Sequence, residues 1–206
     1  MKRCVIIGSA QIDAYEKIIR LFRTDDCFVY CDGGLYHQER LGRAPDLIVG
    51  DFDSYSGKLP DGDVITLPCV KDDTDTFAAV KEMLQRGYRD FLLVGVCGQR
   101  IDHTLSNLSI LLYLDRRGAA GEIADDYSRM TVLKQKPVSI AKGSCSFFSI
   151  HSLSGDLKGV NIQGAKYNLT NAVVPADYQF AVSNEVAEDE AVVWIDAGTG
   201  LLTLVD

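Results

Sequence analysis

From the start of the chain to about Arg117, short apolar runs alternate with stretches in which apolar residues recur every three or four positions. Cys4 to Ile7, Cys27 to Cys31, Leu47 to Val49, Val64 to Leu67 and Phe91 to Val96 are short, apolar and bounded by turn residues, as strands buried on both faces are. Between them, Ile12, Tyr15, Ile19 and Phe22 fall on one helical face, as do Phe77, Val80 and Leu84, and then Leu105, Leu108 and Leu112. This alternation predicts an α/β domain built on a mostly parallel open sheet flanked by helices. After Gly118 the texture changes. Val138 to Ile140, Cys145 to Ile150, Gly159 to Gln163, Ala191 to Ile195 and Leu201 to Val205 are strand-like stretches punctuated by Gly, Asn and Pro, and no helical period appears. A boundary near Ser128 is expected, dividing an α/β domain (1–127) from a small all-β domain (128–206).

Composition narrows the function classes. A chain of 206 residues with 47% apolar content can bury one large core or two modest ones, which argues against disorder. Its net charge of -8 would repel a phosphate backbone, and its 21 Lys and Arg are scattered, so nucleic acid is not an expected partner. The opening Met1-Lys2-Arg3 precedes an apolar stretch too short for a signal sequence or a membrane span. The six cysteines form no CxxC pair and mostly sit inside apolar runs, which points to buried thiols, a reducing cytoplasmic setting and no structural zinc.

In open α/β sheets, ligands bind beyond the carboxyl ends of the strands. Four such ends carry charge here. Cys31 is followed by Asp32-Gly33-Gly34, and Val49 by Gly50-Asp51-Phe52-Asp53-Ser54. Leu67 is soon followed by Lys71-Asp72-Asp73-Thr74-Asp75, and Val96 by Gly98-Gln99-Arg100-Ile101-Asp102-His103. Each segment alone has an ordinary explanation. Asp-Gly-Gly makes tight turns, Asp72, Thr74 or Asp102 can cap a helix, and His103 with Asn107 can simply share a helix face. Asp51 and Asp53 fit a plain loop less well, because carboxylates at that spacing repel unless a cation or donors lie near them. Four consecutive strand ends with aspartate, and with Lys71 and Arg100 among them, share a common explanation in magnesium-bound phosphate chemistry. Mg²⁺ takes a few carboxylates plus substrate phosphates, while Arg and Lys neutralise the remaining phosphate oxygens. Neither a Walker loop nor a GxGxxG turn is present.

These segments resemble the thiamine pyrophosphokinase family, and the resemblance runs along nearly the whole chain. It rests on Asp32-Gly33-Gly34; Pro45-Asp46 with Gly50 to Ser54; Lys71-Asp72 with Thr74-Asp75; and Gly98, Arg100, Asp102, His103 and Asn107. Gly164-x-Lys166-Tyr167-x-Leu169 and Ser183-Asn184-Glu185 resemble the family's thiamine-side segments. The chain departs from the pattern at Gln99 and at Tyr36-His37. The resemblance implies an α/β domain followed by a β-sandwich, a homodimer with sites between subunits, and transfer of pyrophosphate from Mg-ATP to thiamine with release of AMP. It implies Asp51, Asp53 and Asp75 as Mg²⁺ ligands, Arg100 and Lys71 on phosphate oxygens, and Asp32 with Gly33 and Gly34 in the nucleotide or metal network. Asp102, His103 and Asn107 fall on the nucleotide side. Asp72 either orients Lys71 or acts as base, and Ser183 and Asn184 hold thiamine. Trp194 either stacks on thiamine's ring or belongs to the core. Two rivals stay open: a nucleotide-sugar glycosyltransferase, which also uses D-x-D, and a non-catalytic sensor of Mg-ATP or thiamine.

Overall fold

The apolar runs of the first half do form strands. In the computed structural model, which describes residues 2–70, 72–98 and 100–206, they are β1 (Cys4–Ile7), β2 (Cys27–Cys31), β3 (Leu47–Gly50), β4 (Asp63–Thr66), β5 (Asp90–Val94) and β6 (Ala120–Ala124). All pair in parallel, in the order β4-β3-β2-β1-β5-β6. Every residue of β1, β2 and β3 is buried, whereas β4 lies at the edge and is mostly exposed. Valine, isoleucine and cysteine fill the central strands because helices remove both faces from water. One face packs Val5, Ile7, Phe28, Tyr30, Ile48, Leu92 and Val94 against Ile18, Leu35 and Leu41.

The helices are α1 (Tyr15–Arg20), α2 (Gln38–Leu41), α3 (Asp75–Gln85) and α4 (Ile101–Asp115), with a 3-10 helix over Asp32–His37. Three differ from expectation. α1 has six residues, so Ile12 and Phe22 pack from flanking loop, and Ile18 is the residue it buries together with Tyr15. Asp32-Gly33-Gly34 opens a 3-10 helix rather than a simple turn. α4 buries Asn107, Ile110, Leu111 and Leu114, while Leu105 is 63% exposed. The run from Leu108 to Leu114 is apolar at six of seven positions, so periodicity could not single out the buried face.

The chain divides into two compact units, Met1–Asp126 and Tyr127–Asp206. The second holds β7 (Ser128–Leu133), β8 (Val138–Ala141), β9 (Phe147–Gln163), β10 (Leu169–Val174), β11 (Glu190–Trp194) and β12 (Ala197–Val205). Its pairings are antiparallel, in the order β7-β12-β9-β11-β8, with β10 on β9. The long β9 fuses two expected strands, and its inward residues Phe148, Ile150, Leu157, Val160 and Ile162 supply much of that unit's core. The protein is therefore mixed α/β: the parallel arrangement holds for the first unit and not for the chain as a whole. No described helix is long and apolar enough to cross a membrane. The cysteines are free thiols, buried at Cys4, Cys27 and Cys31.

Candidate active site

Because β1 to β6 are parallel, their carboxyl ends share one edge, and a cleft of about 410 Å³ opens there. Its wall includes Gly8 to Gln11 after β1, Asp32 after β2, Asp51, Asp53 and Ser54 after β3, Thr74 to Thr76 at α3, and Gly98, Arg100, His103 and Asn107 beyond β5.

Asp32 is the most constrained of these residues. It lies at the first position of the 3-10 helix with φ +41, in the left-handed region that aspartate tolerates better than most residues. Gly50 at the end of β3 makes room for it, since a Cβ there would come 3.0 Å from Asp32 Cβ. Gly34 has no such freedom either, because its Cβ would run into the Ile7 carbonyl oxygen. A Cβ on Gly33 would come 3.1 Å from Ser9 Cβ. The two glycines thus seat the 3-10 helix against the end of β1. Asp32 is 7% exposed, and its Oδ1 is buried without a hydrogen-bond partner.

Asp32, Asp51 and Asp75 each offer a carboxylate oxygen within 4.8 Å of the others. Asp75 opens α3, where Thr74 caps the helix by accepting from the Phe77 N–H at 3.2 Å. Asp51 precedes Phe52, which also has a positive φ of +60. Asp53 lines the same cleft from an exposed position. Its carboxylate accepts from the Ser54 hydroxyl at 2.8 Å, and it stands outside the group of three. Three close carboxylates repel one another, and an orphaned buried oxygen among them adds a desolvation cost. An all-oxygen donor set of this kind suits a hard divalent cation such as Mg²⁺.

The other sequence-derived residues separate. Arg100 donates to the Asp102 carboxylate through Nη2 at 2.5 Å and Nε at 3.2 Å, and this guanidinium draws the exposed Asp102 down to about 2. His103 is exposed on the cleft wall. Asn107 is buried, and its amide donates to the Val96 carbonyl at 2.7 Å, tying α4 to the segment after β5. Asp72 is exposed and outside the cleft lining, and Asp73 pairs with Lys81 at 2.7 Å. Lys71 and Gln99 lie outside the described residues. Gln11, Thr76 and Cys97 line the cleft without any sequence signal that marked them. Burial pushes the Cys97 thiol up to about 12, so it is protonated at neutral pH.

In the second unit, the structure brings the two marked segments together. Asn184 accepts from the Tyr167 N–H at 3.0 Å and donates to the Tyr167 carbonyl at 2.8 Å, while Lys166 pairs with Glu185 at 2.6 Å. Asn184 is 4% exposed, so most of its side-chain hydrogen bonding goes to the backbone. Ser183 is exposed with φ +54, and Tyr167, whose backbone the Asn184 side chain holds, is 60% exposed. Trp194 is half-buried on β11, opposite Asn161.

Comparison with known proteins matches two family models: the thiamin pyrophosphokinase catalytic domain over residues 18–120, and the thiamin pyrophosphokinase vitamin B1 binding domain over residues 135–202. Solved structures agree in fold. Thiamine pyrophosphokinase from Bacillus subtilis is 20% identical with a TM-score of 0.88, covering 99% of both chains. A thiamin pyrophosphokinase family protein from Enterococcus faecalis is 25% identical with a TM-score of 0.80, covering 100% of this chain and 99% of its own. Yeast thiamin pyrophosphokinase is 16% identical with a TM-score of 0.76, covering 99% of this chain and 86% of its own. No curated protein sequence gives a match.

Proposed function

The chain belongs to the thiamin pyrophosphokinase family, and from that premise we propose how its cleft moves a pyrophosphoryl group from Mg-ATP to the hydroxyl of thiamine, releasing AMP. The observation that carries the mechanism is the group Asp32, Asp51 and Asp75, with the unpaired Asp32 Oδ1, in the same cleft as Arg100. These three carboxylates hold Mg²⁺, and Asp53 reaches the same region from the rim. When bound, the cation neutralises phosphate oxygens and steadies the charge that develops in transfer.

The chain's own groups do the rest by positioning. Arg100, exposed at the cleft and held by Asp102, turns its guanidinium to phosphate oxygens. Gly8 to Gln11 and His103 shape the walls around the nucleotide. The thiamine hydroxyl oxygen bonds to the β-phosphorus as that atom's bond to the oxygen bridging to the α-phosphorus breaks. AMP leaves with the bridging oxygen, and the hydroxyl proton goes to a cleft carboxylate or to water. In the second unit, the exposed Ser183 hydroxyl and the Tyr167 ring are the groups offered to thiamine, and Asn184 holds the two segments in register. Exposed Tyr178, Phe180 and Val182 support a homodimer that would cover them, and free thiols fit a cytoplasmic setting.

The test is to incubate the protein with Mg-ATP and thiamine and identify both products. Thiamine pyrophosphate with equimolar AMP is expected. ADP as the sole nucleotide product, or no turnover, would overturn the proposed reaction.

A further inference from the structure

The 3-10 helix that brings Asp32 to the acidic group ends on a histidine that the mechanism above does not use. His37 is 8% exposed, and both of its ring nitrogens are engaged. Nε2 lies 3.0 Å from the Ala10 carbonyl oxygen, and Nδ1 lies 2.6 Å from the Tyr15 hydroxyl. A carbonyl oxygen can only accept, so Nε2 carries the proton and donates. In the neutral ring, Nδ1 then accepts from Tyr15. Burial holds His37 below its ordinary value, which keeps the ring neutral at pH 7. Arg40 of α2 lies 3.8 Å from the centre of the Tyr15 ring, so it braces the tyrosine that orients the imidazole.

The consequence falls on the cleft. Ala10 belongs to the wall Gly8–Gln11, and its own N–H donates to the Gly95 carbonyl at 2.8 Å. His37 therefore fixes the carbonyl side of a residue whose N–H side is anchored beyond β5. The wall sits between the acidic group and the segment carrying Gly98 and Arg100 in the lining of one cleft. We propose that His37 is a positioning residue: by holding the Ala10 carbonyl, it sets the shape of the Gly8–Gln11 wall against which the phosphate-bearing substrate is seated. This rests on the proposed function, and it concerns a position at which the chain departs from the family pattern.

His37→Leu removes both hydrogen bonds while keeping apolar bulk, and His37→Gln keeps an N–H donor near the place of Nε2. The readouts are the Kd of a magnesium-bound, non-hydrolysable ATP analogue by calorimetry, the KM for thiamine, and the melting temperature. For His37→Leu, the analogue Kd should rise roughly tenfold, the scale of one lost hydrogen bond, with the thiamine KM unchanged. His37→Gln should recover most of that loss. Tyr15→Phe, which frees Nδ1 alone, should shift the Kd the same way by a smaller factor, and it decides the matter if His37→Leu does not fold. A lower melting temperature with an unchanged Kd, or Gln no better than Leu, overturns the proposal. Wild type that binds the analogue but makes no thiamine pyrophosphate overturns the proposed reaction instead, and the variant Kd values still decide the role of His37.

Discussion

Asp32 carries two marks of a residue held for its chemistry rather than its packing. Its backbone occupies a left-handed conformation, and one carboxylate oxygen is buried without a partner. Such features cost about 1–3 kcal/mol each and persist where the surroundings enforce them. Asp32→Asn isolates the charge, since asparagine tolerates the same backbone region. Turnover at saturating Mg-ATP should fall roughly 10²-fold or more, the cost of one preorganised electrostatic contact. The metal-free melting temperature should rise, because repulsion with Asp51 and Asp75 is relieved. Asp53→Asn should lose less turnover, as its carboxylate is exposed and stands outside the group. Equal losses would move the cation toward the Asp51–Asp53 loop, and near-normal turnover in Asp32→Asn would remove Asp32 from the site. The sequence marked Asp32, Asp51 and Asp75 because each follows a legible strand end. It could not show that the three carboxylates come within 4.8 Å of one another, since those distances are set by the neighbouring places of β2 and β3 in the sheet and by the seat of α3. Asn107 and Asn184 teach the reverse. The resemblance puts Asn107 on the nucleotide side and Asn184 on the thiamine side, and in the structure their amides donate to the backbone carbonyls of Val96 and Tyr167.

At the scale of elements, α3 joins folding to function at its first turn. Thr74 accepts from the Phe77 N–H, and Asp75 follows at the start of the helix, where a carboxylate is favoured by the helix dipole. The same turn therefore fixes the backbone that presents Asp75 to Asp32 and Asp51. Thr74→Ala should cost about 1 kcal/mol of stability in urea unfolding followed by helical circular dichroism, and Thr74→Ser should restore most of it. An Ala variant as stable as wild type would show that the cap is not needed to start this helix. The period of Val80 and Leu84 and the capping residue made α3 readable in advance, although Ala79 and Met83 join Val80 in the buried face. The 3-10 helix was not readable: six residues are too few for a period, and Asp-Gly-Gly has the composition of a turn. β6 was missed for a related reason, because Ala120-Gly121-Glu122-Ile123-Ala124 is held by its parallel pairing with β5 rather than by an apolar run of its own.

Across the whole molecule, the change of texture near residue 118 reflects a real physical difference. Strands buried on both faces give continuous apolar runs, whereas the antiparallel strands of the second unit alternate and are harder to bound, which is why β7 and β10 had no sequence signal. The division also gives each unit its own probe. Among the described residues helices occur in Met1–Asp126 alone, and the chain's one tryptophan, Trp194, lies in Tyr127–Asp206. Each unit also has one histidine that burial holds below its ordinary value: His37 in the first, and in the second His151, whose Nδ1 is buried without a partner. A depressed folded-state value means that the unfolded chain binds more protons once pH drops below about 6.5. The stabilising effect of keeping these rings neutral is thus complete above that pH and is lost as pH falls toward the folded-state value. The slope is at most about 1.4 kcal/mol per pH unit for each proton. Between about pH 7.5 and 5.5, above the ordinary carboxylate range, urea midpoints by both probes should fall. His151→Phe should flatten the pH dependence of the Trp194 fluorescence midpoint while leaving that of the helical signal, and His37→Gln should do the opposite. A fluorescence midpoint that still falls with acid in His151→Phe would show that another group in the second unit takes up the proton.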